Sequence, residues 1–60
     1  MLCKYMKEAY TYLERNDQLH YYAAVTDITM ELKWSVKSGL LDPVEADETK
    51  TYFWGKVKLS

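Results

Sequence analysis

The sequence predicts an all-α protein of three helices, and three observations carry that reading. Apolar residues recur at three- and four-residue steps through most of the chain. The breakers Asn16-Asp17, Ser38-Gly39 and Asp42-Pro43 divide it into segments, and the residues at these junctions suit helix ends.

The first segment spans about residues 2–15. Leu2, Met6, Ala9 and Leu13 fall on one helical face, widened by Cys3, Tyr5, Tyr10 and Tyr12, with Lys4, Lys7, Glu8, Thr11 and Arg15 opposite. Asn16 or Asp17 closes it and supplies a side-chain oxygen to cap the next helix. The short link makes the first two helices an antiparallel hairpin.

The second helix spans about residues 18–37. Gly39 just past its end suits a left-handed closing residue, and Leu40 is placed for a hydrophobic contact back to the last turn. The third helix opens at Asp42-Pro43-Val44-Glu45, where Asp42 is an N-cap and Pro43 occupies the first helical position. The acids Glu45, Asp47 and Glu48 complement the positive end of the helix dipole. This helix is expected over about residues 43–54, followed by an extended tail. Alternation of Thr49, Thr51, Phe53, Val57 and Leu59 with Lys50, Tyr52, Trp54, Lys56 and Lys58 keeps a strand open as the alternative for the last ten residues. A strand there would need a partner strand from another subunit.

The second helix carries two apolar stripes. Tyr22, Val25, Thr29, Leu32 and Val36, broadened by Tyr21, Ala24 and Ile28, form the expected core face. Leu19, Ala23, Met30 and Trp34 lie on the other side, between a seam of His20, Asp27 and Glu31 and a seam of Lys33 and Lys37. Two neighbours in a small bundle cover adjacent sectors of a central helix, so this second stripe is expected to meet another polypeptide. Single exposed apolar residues are ordinary; a contiguous patch with Met and Trp is not.

Composition points the same way. A chain of 60 residues is one domain at most. At this size only about 60 % of the unfolded surface is buried, so a lone monomer is marginal. Cys3, the single cysteine, allows no internal disulfide and fits a reducing, cytoplasmic setting. Self-association, as an intertwined or face-to-face homodimer, is the remedy the composition leaves. Six tyrosines and two tryptophans supply residues favoured at interfaces. With a formal charge of −1 the chain has no overall field to draw nucleic acid or anionic lipid. The N-terminus lacks the apolar core of a signal peptide, and no apolar run is long enough to span a bilayer.

Chemistry finds little foothold. Cys3 and His20 fall near opposite ends of the hairpin, which separates the one thiol from the one imidazole. His20 and Asp27 are about two turns apart, roughly 10 Å, too far to share a metal ion. Glu45, Asp47 and Glu48 sit where the helix dipole alone would place acids, and no glycine-rich phosphate loop occurs. No enzyme, cofactor or metal site and no small-molecule substrate is therefore expected.

Two functions remain. The leading one is a homodimeric interaction module that binds and inhibits or regulates a larger protein. By base rate, phage-encoded inhibitors, antitoxins and accessory subunits populate this size class. Its expected interface residues are Leu19, Ala23, Met30 and Trp34, with Tyr52, Phe53 and Trp54. The alternative is a nucleic-acid accessory factor, with Lys50, Lys56 and Lys58 interleaved with those aromatics for stacking on a single strand. The acids at the start of the third helix oppose it.

Overall fold

Three helices, α1 (Leu2–Glu14), α2 (Gln18–Lys37) and α3 (Pro43–Trp54), make up the computed structural model, which describes residues 2–57 and of Leu2 the backbone alone. No strand occurs among the described residues. α2 is central: α1 packs along one flank and α3 along another. The buried cluster is Ala9 from α1, Tyr21, Ala24, Val25, Ile28 and Leu32 from α2, and Ala46 and Phe53 from α3.

The junctions explain why the chain turns where it does. Asn16 takes the left-handed conformation (φ 59°) after α1. The Asp17 amide donates to the Tyr12 carbonyl and the Asn16 amide to that of Leu13, a Schellman closure. Asp17 then caps α2, its carboxylate accepting from the His20 amide at 3.2 Å. One residue thus ends one helix and begins the next. Gly39 (φ 75°) closes α2 in the same way, with Leu40 N–H donating to Ser35 O and Gly39 N–H to Val36 O. Asp42 caps α3 through its carboxylate and the Val44 amide at 2.8 Å, and Pro43 follows as expected.

Three expectations change. The core stripe of α2 is rotated: Tyr21, Ala24 and Ile28 are fully or nearly buried, whereas Thr29 and Val36 are half-buried and Tyr22 is exposed. Val25 and Leu32 stay in the core as expected, and neighbours on two flanks extend the buried sector from them through Tyr21 and Ile28 to Ala24. Leu40 does not fold back on α2; it is 82 % exposed, and Leu41 packs against the core instead. The hydrogen bonds of the closure form without its hydrophobic contact. Finally, no extended tail begins at Trp54. Lys56 N–H donates to Phe53 O and Val57 N–H to Trp54 O, so the chain winds on in a tight turn that brings Val57 onto the core. Lys58, Leu59 and Ser60 lie outside the described residues.

Candidate interaction surfaces

Tyr21 and Phe53 fasten α3 to α2. The Tyr21 side chain is fully buried, and its hydroxyl donates to the Phe53 carbonyl at 2.7 Å. That satisfies one of the carbonyls left open at a helix C-terminus. Burial raises the Tyr21 phenol above its ordinary value, with the Tyr52 and Tyr10 hydroxyls adding to the rise. Nearby, Trp54 Nε1–H donates to Thr29 Oγ1 at 2.9 Å, and the Thr29 hydroxyl donates to the Val25 carbonyl. The Trp54 ring meets Tyr22 edge-on, centroids 5.3 Å apart.

These contacts decide the standing of the C-terminal aromatics. Phe53, expected at an interface, is 2 % exposed and sits in the core beneath Tyr10. Helical geometry turns it inward beside Ala46, whereas a strand period would have grouped it with Thr51 and Val57. Trp54 is half-buried with its indole N–H satisfied. Tyr52 is half-exposed, packs edge-on against Phe53, and carries the Lys56 ammonium 5.1 Å above its ring. The neighbouring Tyr52 hydroxyl, followed by burial, raises the Tyr10 phenol above its ordinary value. Lys50 lies 4.0 Å from the Asp47 carboxylate. The structure therefore does not gather Lys50, Lys56 and the three aromatics into one open strip, and Lys58 is outside the described residues.

The outer face of α2 is different. Leu19 is 80 % exposed, Met30 57 % and Trp34 59 %, with Ala23 exposed between them. Neither α1 nor α3 reaches this sector, because both occupy the flanks of the Ile28 side. The Lys37 ammonium lies 5.4 Å over the Trp34 ring, a cation–π contact at the solvent edge. A shallow trough of about 190 Å³ is lined by Met30, Lys33, Trp34 and Lys37.

A larger groove, about 370 Å³, runs between α2 and α3. Leu32, Val36, Pro43 and Ala46 give it an apolar lining. Lys33, Lys37 and Lys50 stand around it with Asp47. Sequence reasoning did not find this groove, because its walls come from two helices whose rotation about their axes the sequence leaves open. Leu40 and Val44 are further exposed apolar residues that periodicity did not single out.

The polar residues considered for chemistry have local roles. Asp17 accepts from the His20 amide and meets the His20 ring Nδ1 at 2.6 Å. The His20 amide chiefly holds the Asp17 carboxyl below its ordinary value, desolvation opposes it, and the His20 ring adds a lesser lowering. The His20 ring also stacks on Tyr12, centroids 5.2 Å apart. Cys3 is a free, exposed thiol in the first turn of α1. Among the described residues no group of three or more His, Cys, Asp or Glu side chains could hold a metal ion. No described helix is long and apolar enough to cross a membrane.

The chain matches no protein-family model, and no significant match to a curated protein or a solved structure accompanies it.

Proposed function

We propose that the protein is a small, non-enzymatic interaction module, a single helical domain built on the α1–α2 antiparallel hairpin. It acts as a cytoplasmic homodimer that binds and inhibits or regulates a larger protein, in the manner of a phage-type inhibitor, an antitoxin or an accessory subunit. The observation that carries the reading is the uncovered face of α2, where Leu19, Met30 and Trp34 are each more than half exposed. A helix that is apolar on its outer as well as its inner side is stable in water when a second surface covers it. A second copy is the simplest cover, since twofold dimers are the commonest assemblies and the same patch then serves both partners. Cys3, free and exposed, is compatible with a reducing compartment.

Light scattering tests the dimer. The wild type should show twice the 7.1 kDa chain mass at micromolar concentration, and Trp34→Asp should show the single mass with its helicity intact. A wild-type monomer at several hundred micromolar would end this reading. Because Trp34 is 59 % exposed in the single chain, its replacement should not unfold the helices.

A further inference from the structure

We infer that the α2–α3 groove docks an acidic, amphipathic helical segment of the larger partner protein, an inference that rests on the interaction-module reading. The groove, of about 370 Å³, has an aliphatic lining from Leu32, Val36, Pro43 and Ala46. Lys33 and Lys37 also line the neighbouring trough beside Met30 and Trp34. Two apolar depressions thus lie on either side of a pair of lysines. A helix offering apolar anchors at three- and four-residue spacing, with carboxylates between them, matches that alternation.

The charge argument is specific to this place. The chain as a whole has a formal charge of −1, yet three lysines and one aspartate line the groove. Among the described residues neither Lys33 nor Lys37 has an ion-pair partner, while Lys50 shares Asp47 at 4.0 Å. Lys37, in the last turn of α2, is accounted for by the helix dipole. Lys33 lies a turn earlier and Lys50 belongs to another helix, so the dipole does not account for their convergence. Lys33 and Lys37 are also four residues apart on one helix, a spacing at which like charges repel. Carboxylates arriving from a partner would relieve that repulsion.

A single-stranded nucleic acid would also bring negative charge, but it binds by stacking bases on open aromatic faces. The apolar lining of the groove is aliphatic, and the Trp34 ring of the neighbouring trough already carries Lys37. Apolar peptide side chains fit this lining better than bases do.

The probe is a fluorescein-labelled 18-residue helical peptide of leucine anchors and glutamates, compared with its glutamate-to-lysine counterpart and with an oligo-dT strand. Wild-type protein should bind the acidic peptide saturably, more weakly at high salt. Amide shifts should centre on Thr29, Val36, Ala46 and Lys50. The double variant Lys33→Glu, Lys50→Glu should weaken binding by about tenfold, because each reversal turns an attraction into a repulsion. Both lysines are exposed, so folding should be unaffected; Lys33→Gln, Lys50→Gln gives a milder control in the same direction. The inference is overturned if the acidic peptide does not bind, if the lysine peptide or oligo-dT binds more tightly, or if the charge-reversed protein binds unchanged. Light scattering on the same samples separates the two readings. A dimer that ignores the acidic peptide ends the groove inference alone, whereas a monomer ends the module reading.

Discussion

Removing one oxygen atom tests how α3 is held. In Tyr21→Phe the ring stays in place and the 2.7 Å bond from the buried hydroxyl to the Phe53 carbonyl disappears. A buried hydrogen bond contributes a net 0.5–1.5 kcal/mol, at about that range, with orphaned partners costing more. The Phe53 carbonyl keeps a second donor, the Lys56 amide at 3.2 Å, so it is not orphaned. The expected cost is therefore about 1 kcal/mol. Against a total of roughly 3–9 kcal/mol for a chain this short, that lowers the melting temperature by about 4–8 °C without abolishing the fold. Far-UV circular dichroism at fixed protein concentration reads it, since association would otherwise shift the midpoint. The same residue sets an alkaline limit. Its phenol is raised from the ordinary 10.0 by burial, so the folded state holds the proton more tightly than the unfolded chain. Stability is then complete below pH 10 and falls as pH rises toward the folded value. In Tyr21→Phe this alkaline loss should shrink, with a remainder from Tyr10, which is raised as well. An unchanged melting temperature together with an unchanged alkaline slope would show that the hydroxyl does not hold α3.

Two further outcomes follow from the junctions. Gly39→Ala places a side chain at φ 75° with nothing within 4 Å to clash, so its cost is purely one of backbone conformation. It should be about 1–2 kcal/mol in urea titration, with Gly39→Asn costing less; a neutral alanine would mean that the turn relaxes. The Asp17 carboxyl is lowered from 3.8 by the His20 amide, so its contribution is present above that value and is lost as pH falls through the folded one. Asp17→Asn should flatten the acid limb of a pH–stability curve, and an identical limb in the variant would remove the N-cap from the explanation.

The helices were legible in the sequence because their ends are chemically marked. Asp17, Gly39 and Asp42-Pro43 each do at a junction what their residue types favour, and the boundaries shift by at most one residue. The rotation of α2 was less legible. Tyr21 and Tyr22 are adjacent and identical in type, so composition does not decide which faces inward; the choice depends on where the Phe53 carbonyl waits to be bonded. Phe53 was misplaced for a related reason. It lies on a helix, as expected, but aromatic type alone reads equally as core or as interface anchor, and only the packing of α3 on α2 turns it inward beside Ala46. The uncovered stripe of Leu19, Met30 and Trp34 was readable because it depends on α2 alone. The groove was not, since it exists only once two helices are set against each other.

The division of labour along α2 has a physical basis in size. Sixty residues provide two flanking helices of 13 and 12 residues for a central one of 20. Helices pack at about 8–10 Å separation, so two neighbours shield roughly half of a helix's circumference. In α2 that half is filled by Tyr21, Ala24, Val25, Ile28 and Leu32. A helix serving folding alone would carry charges over the rest, as α1 does with Lys4, Lys7 and Glu14. α2 instead carries Leu19, Met30 and Trp34 outward and gathers Lys33 and Lys37 at one edge of that stripe. Replacing these apolar residues with charges would leave the buried sector intact, so the fold does not require them. Their outward placement is the observation on which the proposed dimer face rests. The lysine edge lies between the outer stripe and the α2–α3 groove, which places the proposed dimer face and the inferred partner groove side by side. Charge reversal at Lys33 should therefore be felt first in partner binding, and truncation at Met30 or Trp34 first in self-association.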